Sequence, residues 1–342
     1  MPQKCAIWGV ATPPQPPKYK LAHYLRFDSL FAVTLLYYDP RFLDHETGRH
    51  PEQAERLRQV VAHLNAIGLV DQCERPTWQP ASRTRLELVH EPGYIDRLAA
   101  LAKQGGGWLD PDTVVSPASP EVAQLAAGAA CDAVDRVLAG DATTALCLVR
   151  PPGHHALAER AMGFCLFNNI AVAACVALEE HQLDRVLIVD WDVHHGNGTQ
   201  DTFYADGRVG YFSIHRWPFY PGTGAADETG TGDGLGTTRN VPVQLGSPRE
   251  AYLDVFRREL EDFATRIRPQ LVLISAGFDA HRADPLGSFV LETEDFAEMT
   301  RMVRDVAAVY AGSRVVSILE GGYNPPVLAE CVEMHLRELR EK

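Results

Sequence analysis

The chain has 342 residues, 46% of them hydrophobic, enough for one large α/β domain with a buried sheet or for two small domains. Its 32 basic and 45 acidic residues give a formal charge of -13 with no long run of like charges, which argues against a nucleic-acid surface and suits cationic partners such as amines, polyamines or lysine-rich tails. No apolar run approaches the ~20 residues needed to cross a bilayer, and the seven cysteines form no C-x-x-C pair and read as reduced, buried thiols, so a cytoplasmic protein is expected.

Residues 1–33 read as an N-terminal extension, because Pro13, Pro14, Pro16 and Pro17 break any regular element. The short apolar stretch at 5–11 runs into these prolines without a small-residue cleavage pattern, so it is not read as a signal peptide. From Thr34 short β-rich runs alternate with longer amphipathic stretches, the pattern of a parallel sheet covered by helices. The first strand is predicted over 34–38. Helices follow over 51–67, with Pro51 in the first turn, and over 119–138, capped by Ser119. A strand over 144–149 leads into Arg150-Pro-Pro-Gly-His154-His155-Ala156, and a helix over 168–180 comes next. The strand over 185–190 runs into Asp190-Trp-Asp192-Val-His194-His195-Gly-Asn197-Gly, and another strand covers 209–214. The stretch 221–236 is rich in glycine but has neither G-x-G-x-x-G nor a following Lys-Ser/Thr, so it reads as a mobile rim loop and not as a phosphate cradle. A helix over 249–267, a strand over 271–275 with Asp279 just beyond it, a helix over 293–310 capped by Thr293, a strand over 315–319 and a helix over 326–339 with Pro326 in its first turn complete one domain over 34–342.

The residues with chemical potential gather just after the strands, where open α/β sheets place their ligands. Side chains alternate along an extended chain, so Asp190, Asp192 and His194 can share one side, and carboxylate with imidazole suits Zn²⁺, Mn²⁺ or Fe²⁺ better than Ca²⁺ or Mg²⁺. Asp279 ends a second strand in the same manner and supplies a third ligand or a helix cap. His154 and His155 sit at another strand end in a turn fixed by two prolines and a glycine. With charged Asp190 and neutral Asn197 as partners, the two imidazoles should differ in pKa. In Glu320-Gly-Gly-Tyr323-Asn324 the double glycine lets the chain swing a phenol into a cleft, where it can donate to a tetrahedral oxyanion or serve as an ordinary turn residue.

Together these segments resemble the histone deacetylase family, including bacterial deacetylase-like amidohydrolases and acetylpolyamine amidohydrolases. The matching motifs are H-P-E-Q-A-E-R-L (50–57), R-P-P-G-H-H-A (150–156), G-F-C-L-F-N-N-I-A (163–171), D-W-D-V-H-H-G-N-G-T (190–199), S-A-G-F-D (275–279) and E-G-G-Y-N (320–324), in family order. The resemblance implies an α/β arginase/deacetylase fold whose central, mainly parallel sheet has about eight strands flanked by helices. It implies one Zn²⁺ on Asp192, His194 and Asp279, with His155 as general base toward the attacking water and then acid toward the leaving amine. His154 lends electrostatic help, Asp190 pairs with His154, and Asn197 stands beside His155, a neutral residue that resembles the class II branch. Tyr323 contacts the scissile carbonyl; relatives with His there are weak deacetylases. Phe164 and Tyr220 are the implied channel walls, Gly163 a carbonyl contact, and Leu286 occupies the rim position where polyamine-specific relatives carry Glu. A structural K⁺ or Na⁺ is implied on Asp190, Asp192, His194, Ser213 and Ile214, and an outer one on Phe203, Asp206 and Val209.

The expected activity is therefore a zinc-dependent deacylase acting on an acylated lysine peptide or protein, or on a related acylated amine, with no nucleic-acid or membrane partner and a homo-oligomer left open. Four other readings compete. An acetylpolyamine amidohydrolase is weakened by Leu286, and a binuclear manganese ureohydrolase needs more ligands than the sequence offers. A zinc nucleobase deaminase lacks its H-x-E and P-C-x-x-C signature. A catalytically silent acyl-lysine-binding scaffold is opposed by the intact histidine pair and Tyr323.

Overall fold

Runs such as Val-Leu-Ile-Val at 186–189 have no polar face to turn toward water, so they pair in the middle of a parallel sheet with helices on both sides. The computed structural model describes residues 33–341; the extension read over 1–33 lies, apart from Val33, outside the described residues. The elements in order are β1 (Thr34–Tyr37), α1 (Glu55–Ala66), α2 (Arg83–Leu86), α3 (Pro92–Lys103), β2 (Gly107–Trp108), β3 (Val114–Val115), α4 (Ser119–Ala139), β4 (Thr144–Cys147) and α5 (Asn169–Glu179). They continue with β5 (Val186–Asp190), α6 (Asn197–Phe203), β6 (Val209–Arg216), β7 (Thr238–Val243), α7 (Arg249–Ile267), β8 (Leu271–Ala276), α8 (Thr293–Tyr310), β9 (Val315–Leu319) and α9 (Pro325–Arg340).

The main sheet runs β1-β4-β9-β8-β5-β6-β7 with every pairing parallel, while β2 and β3 form a separate two-stranded hairpin. Helices α1, α9, α8 and α7 pack as one neighbouring series, and α4 packs on α5. Helix α5 is apolar nearly all round and is buried along its length except at Cys175 and Glu179. The topology matters for function because β4, β9, β8 and β5 are adjacent in space although far apart in sequence, so four separate motifs emerge side by side at one end of the sheet.

Several expectations are corrected. The sheet has seven strands among the described residues instead of about eight; the nearest thing to an eighth is a single parallel bridge between Leu35 and Glu74, which Pro76 cuts short. Strand β7 escapes a reading by apolar runs because Thr-Arg-Asn-Val-Pro-Val is polar and carries Pro242, features of an edge strand. Helix α3 begins at Pro92 and was not expected. Pro51 lies before α1, which starts at Glu55, because Glu52 is drawn inward and its N–H donates to His50 Nδ1. Ser119 does not cap α4: its hydroxyl accepts from the N–H of Ser116 and pairs with His45. Glu292, not Thr293, caps α8, in a reciprocal capping box with Asp295. The glycine-rich stretch, by contrast, is a loop as read, shaped by hydrogen-bonded turns in which Thr231 N–H donates to Tyr204 O at 2.7 Å and Gly236 N–H to Thr229 O at 2.7 Å. Gly230 there has φ +98°, and a Cβ on it would lie 1.9 Å from Gly234 O, so only glycine fits.

Candidate active site

Asp192, His194 and Asp279 converge so closely that their ligand atoms all lie within 4.8 Å of one another. Asp190 is not the companion of Asp192 and His194 that a fully extended chain predicts. The strand stops at Asp190, and two carboxylates then bend the chain: Asp190 Oδ1 accepts from the N–H of Asp192 at 3.2 Å, and Asp192 Oδ1 from that of His194 at 2.9 Å. Asp279 comes from beyond β8, its Oδ1 accepting from Val193 N–H at 2.9 Å. His194 Nδ1 is 3.0 Å from Asp192 Oδ1 and 3.1 Å from Asp279 Oδ2.

These residues fit a divalent metal. Asp279 Oδ2 is fully buried and its one polar neighbour, His194 Nδ1 at 3.1 Å, lies outside hydrogen-bond geometry, so the oxygen is poorly satisfied unless a cation completes it. The cradle is also walled by missing side chains: a Cβ on Gly277 would lie 2.1 Å from Asp192 Oδ2, and one on Gly321 would lie 2.3 Å from Asp279 Oδ2. Burial, reinforced by Asp192, pushes Asp279 up to about 7. Burial opposes a charge on His194, yet Asp192 and Asp279 carry it up to about 9. Two buried carboxylates around one imidazole demand positive charge between them, and two oxygen donors with one nitrogen donor match a three-ligand catalytic zinc set.

Beside this group the rings of His154 and His155 are 4.0 Å apart. His154 Nδ1 donates to Asp190 Oδ2 at 3.0 Å, and the Tyr211 hydroxyl shares that oxygen at 3.2 Å. His155 Nδ1 meets Asn197 Oδ1 at 2.8 Å, and Asn197 Nδ2 turns to the Met162 sulfur. The two imidazoles are pushed in opposite directions. Burial lowers His154, but Asp190 and Asp192 overcome it and push the group up to about 10. Burial holds His155 well below the ordinary value, and His154 and His194 hold it lower still. At neutral pH this leaves His154 charged and His155 neutral, with Nδ1–H on Asn197 and Nε2 as an acceptor. Glu320, directly after β9, fixes the turn, its Oε2 accepting from Gly153 N–H at 2.7 Å and His154 N–H at 3.2 Å.

Tyr323 reaches the same cleft through Gly322, which has φ +122°. Its N–H donates to Asp284 Oδ2 at 2.6 Å, and the Arg56 guanidinium lies 4.9 Å from its ring centre. Arg56 also donates through Nε to Gly322 O at 2.6 Å and through Nη2 to Glu320 O. Glu52 is fully buried between Arg150, at 2.6 Å, and Arg56, at 3.1 Å; burial alone would raise its pKa, but Arg150 above all, with His45 and Arg56, holds it at about 2. This explains the chemistry of H-P-E-Q-A-E-R: it is the girder between the histidine turn and the tyrosine turn.

Phe164 packs edge-on to Tyr323 at 5.6 Å, and Tyr220 packs edge-on to His155 at 5.2 Å, so the two aromatics stand on different sides of the site. Gly163 lies flat on His155, where a Cβ would be 2.3 Å from Cδ2, and its carbonyl accepts from the Cys165 thiol at 3.3 Å. Leu286 is half-buried in a turn held by Asp284, its N–H donating to Asp284 Oδ1 at 2.8 Å. Asp190 and Ser213 are register partners across β5 and β6; Ser213 Oγ is 2.9 Å from His215 Nδ1, and Ile214 is buried next to it. Phe203, Asp206 and Val209 share one turn, in which Asp206 N–H donates to Phe203 O and Val209 N–H to Asp206 O, while the Asp206 carboxylate is 2.8 Å from Arg208.

Sequence reasoning missed Glu320, Asp284, Tyr211 and the Glu52–Arg56–Arg150 cluster. Glu320 was legible, since it follows a buried strand just as Asp279 does; Asp284 stands before Pro285, a turn signal. Nothing local marks Tyr211 or the pairing of Glu52 with Arg150, 98 positions away.

A family model, histone deacetylase domain, matches residues 50–339. The chain is 42% identical to a histone deacetylase-like amidohydrolase of Pseudomonas aeruginosa over 291 residues, covering 85% of this chain and 77% of that one. It is 40% identical to the human polyamine deacetylase HDAC10 over 91% of this chain and 47% of that protein. The solved structure of the HDA15 HD domain superposes with a TM-score of 0.86 at 38% identity, covering 90% of this chain and 88% of that one. With its parallel sheet and arginase/deacetylase architecture, the chain belongs to the histone deacetylase family and is a hydrolase of amide bonds.

Proposed function

We propose that the chain is a zinc-dependent deacylase that hydrolyses the amide of an acylated lysine side chain or a related acylated amine. The observation that carries this reading is the buried Asp192–His194–Asp279 group, with a poorly satisfied Asp279 oxygen, set beside one charged and one neutral imidazole. Asp192, His194 and Asp279 would hold Zn²⁺, which supplies Lewis-acid polarisation of the amide carbonyl and makes water a stronger acid. His155, neutral and held by Asn197, takes a proton from the attacking water at Nε2 and returns it to the leaving amine. His154, kept cationic by Asp190, steadies the negative charge that develops. Tyr323, positioned by Asp284 and Arg56, donates its hydroxyl proton to the carbonyl oxygen as it gains charge. Phe164 and Tyr220 flank the acyl-amine stem and exclude water, with Gly163 O as a polar contact. A structural K⁺ or Na⁺ would sit among Asp190, Asp192, His194, Ser213 and Ile214, supported by the register that brings Asp190 to Ser213; an outer one would use the carbonyls near Phe203, Asp206 and Val209.

The second reading, an acetylpolyamine amidohydrolase, is favoured by similarity to a protein named as a polyamine deacetylase and opposed by the apolar Leu286. Free thiols at Cys131, Cys147, Cys165 and Cys331 support the proposed cytoplasmic site of action. The deciding experiment is a turnover panel of acetyl-, propionyl-, longer acyl- and trifluoroacetyl-lysine peptides against acetylated polyamines, with zinc measured on the same preparation. Release of acyl groups from lysine peptides by protein with one zinc per chain is expected. Zinc-loaded protein that binds a hydroxamate yet releases nothing would instead identify a silent scaffold.

A further inference from the structure

Arg216 ends β6 and belongs to none of the roles above, yet it touches both halves of the site. Its guanidinium carbon lies 4.1 Å from the centre of the Phe219 ring. The Phe219 ring stacks on the imidazole of His194, with ring centres 5.1 Å apart and planes 15° from parallel. Tyr220 meets the same imidazole edge-on at 6.0 Å, so the ring of His194 is fixed on a face and an edge. From its other side Arg216 donates through Nη1 to Gly287 O at 3.1 Å. Gly287 N–H donates to Asp284 Oδ1 at 3.0 Å, and Asp284 Oδ2 accepts from Tyr323 N–H at 2.6 Å. The backbone of Arg216 closes the frame, its N–H donating to Val193 O at 2.9 Å, next to His194.

We propose that Arg216 is a positioning residue that holds the metal-binding imidazole of His194, through the Phe219 stack, in one rigid frame with the turn that carries Tyr323. Three physical points support it. Arg216 Nε is buried without a hydrogen-bond partner, a cost of about 1–3 kcal/mol that a merely solvated surface arginine avoids. A guanidinium over an aromatic face is held by the ring's negative quadrupole, and this attraction strengthens where water is excluded. A histidine ligand binds metal well only when its ring plane already points the nitrogen at the ion, and residues acting through a ligand commonly change metal affinity by about 10–100-fold. Lysine at 216 would lack the planar face that stacks on Phe219.

The inference rests on the reading that Asp192, His194 and Asp279 bind zinc, so the test measures zinc itself. Wild type, Arg216→Met, Phe219→Leu and Phe219→Tyr are compared as full chains by competition with a chelating dye for Zn²⁺, and after cobalt substitution by the visible absorption of the Co²⁺ site. Arg216→Met and Phe219→Leu are expected to bind Zn²⁺ about 10–100-fold more weakly and to shift the cobalt bands, while Phe219→Tyr, which keeps the stack, stays near wild type. Melting of the metal-free proteins separates this from misfolding, since all four should melt within a few degrees. Zinc affinities of Arg216→Met and Phe219→Leu within about twofold of a zinc-binding wild type, below the 10–100-fold expected, would sink the inference alone. A wild type that binds no zinc would sink the metal reading, and this inference with it.

Discussion

Two clusters of buried charge lie a few residues from each other and are built on opposite rules. Around Glu52, each carboxylate oxygen meets a guanidinium, and the guanidiniums of Arg56 and Arg150 go on to donate to the carbonyls of Gly322, Glu320, Phe42 and His45. Around His194, two carboxylates compete for one imidazole, and Asp279 Oδ2 has only the His194 Nδ1 contact at 3.1 Å, which does not reach hydrogen-bond geometry. The first cluster is complete within the protein and acts as scaffold. The second crowds two carboxylates on one imidazole, a charge imbalance that a bound proton or an added cation relieves. Buried charge alone therefore does not mark an active site; incomplete buried charge does.

That contrast can be broken from either side. The largest effect is expected at the incomplete cluster's neighbour: His155→Ala should cut kcat/KM by about 10²–10⁴ while zinc content and melting temperature stay close to wild type, and full activity would overturn the general-base assignment. Glu52→Gln should act the other way round, lowering stability by about 3–5 kcal/mol in urea unfolding because it strands two buried guanidiniums. An undiminished unfolding midpoint would mean that the girder is not structural. Tyr323→Phe should slow turnover by about 10² with hydroxamate binding retained, and unchanged turnover would remove the phenol from the chemistry.

The acid limb sharpens the comparison further. Glu52 is held at about 2 in the folded chain against an ordinary value of 4.5, so its stabilisation is fully present above 4.5 and is lost as the pH falls through about 2. Stability measured between these limits should decline with acid in wild type and be flatter in Glu52→Gln. The smallest effect belongs to the rim: Leu286→Glu should improve kcat/KM for acetylated polyamines by no more than about fivefold, since an exposed ion pair contributes at most ~1 kcal/mol, and leave acetyl-lysine turnover near wild type. A polyamine preference already present in wild type would instead show that position 286 does not set the choice.

The contrast also explains what could be read from the sequence. Strands β5, β8 and β9 are legible because Val-Leu-Ile-Val, Leu-Val-Leu-Ile and Val-Val-Ser-Ile-Leu can only be buried, and a polar residue just past each run stands out against it. Asp192, His194, Asp279, His154, His155 and Tyr323 all announce themselves in this way. Strand β7 does not, because an edge strand has no need of an apolar run and Pro242 speaks against one. Arg56 and Arg216 stay hidden for another reason. Each reaches a backbone carbonyl far along the chain, Gly322 for Arg56 and Gly287 for Arg216, and such partners leave no trace in residue type or spacing.

The margins of the sheet have a consequence of their own. On one side Pro242 removes a backbone donor from β7, and on the other the outer face of β1 is occupied by the hydrogen bonds to and from Glu74. Among the described residues both margins of the main sheet are thus blunted against the addition of a neighbour's strand, which leaves helices and loops as the easier surfaces for contact between copies.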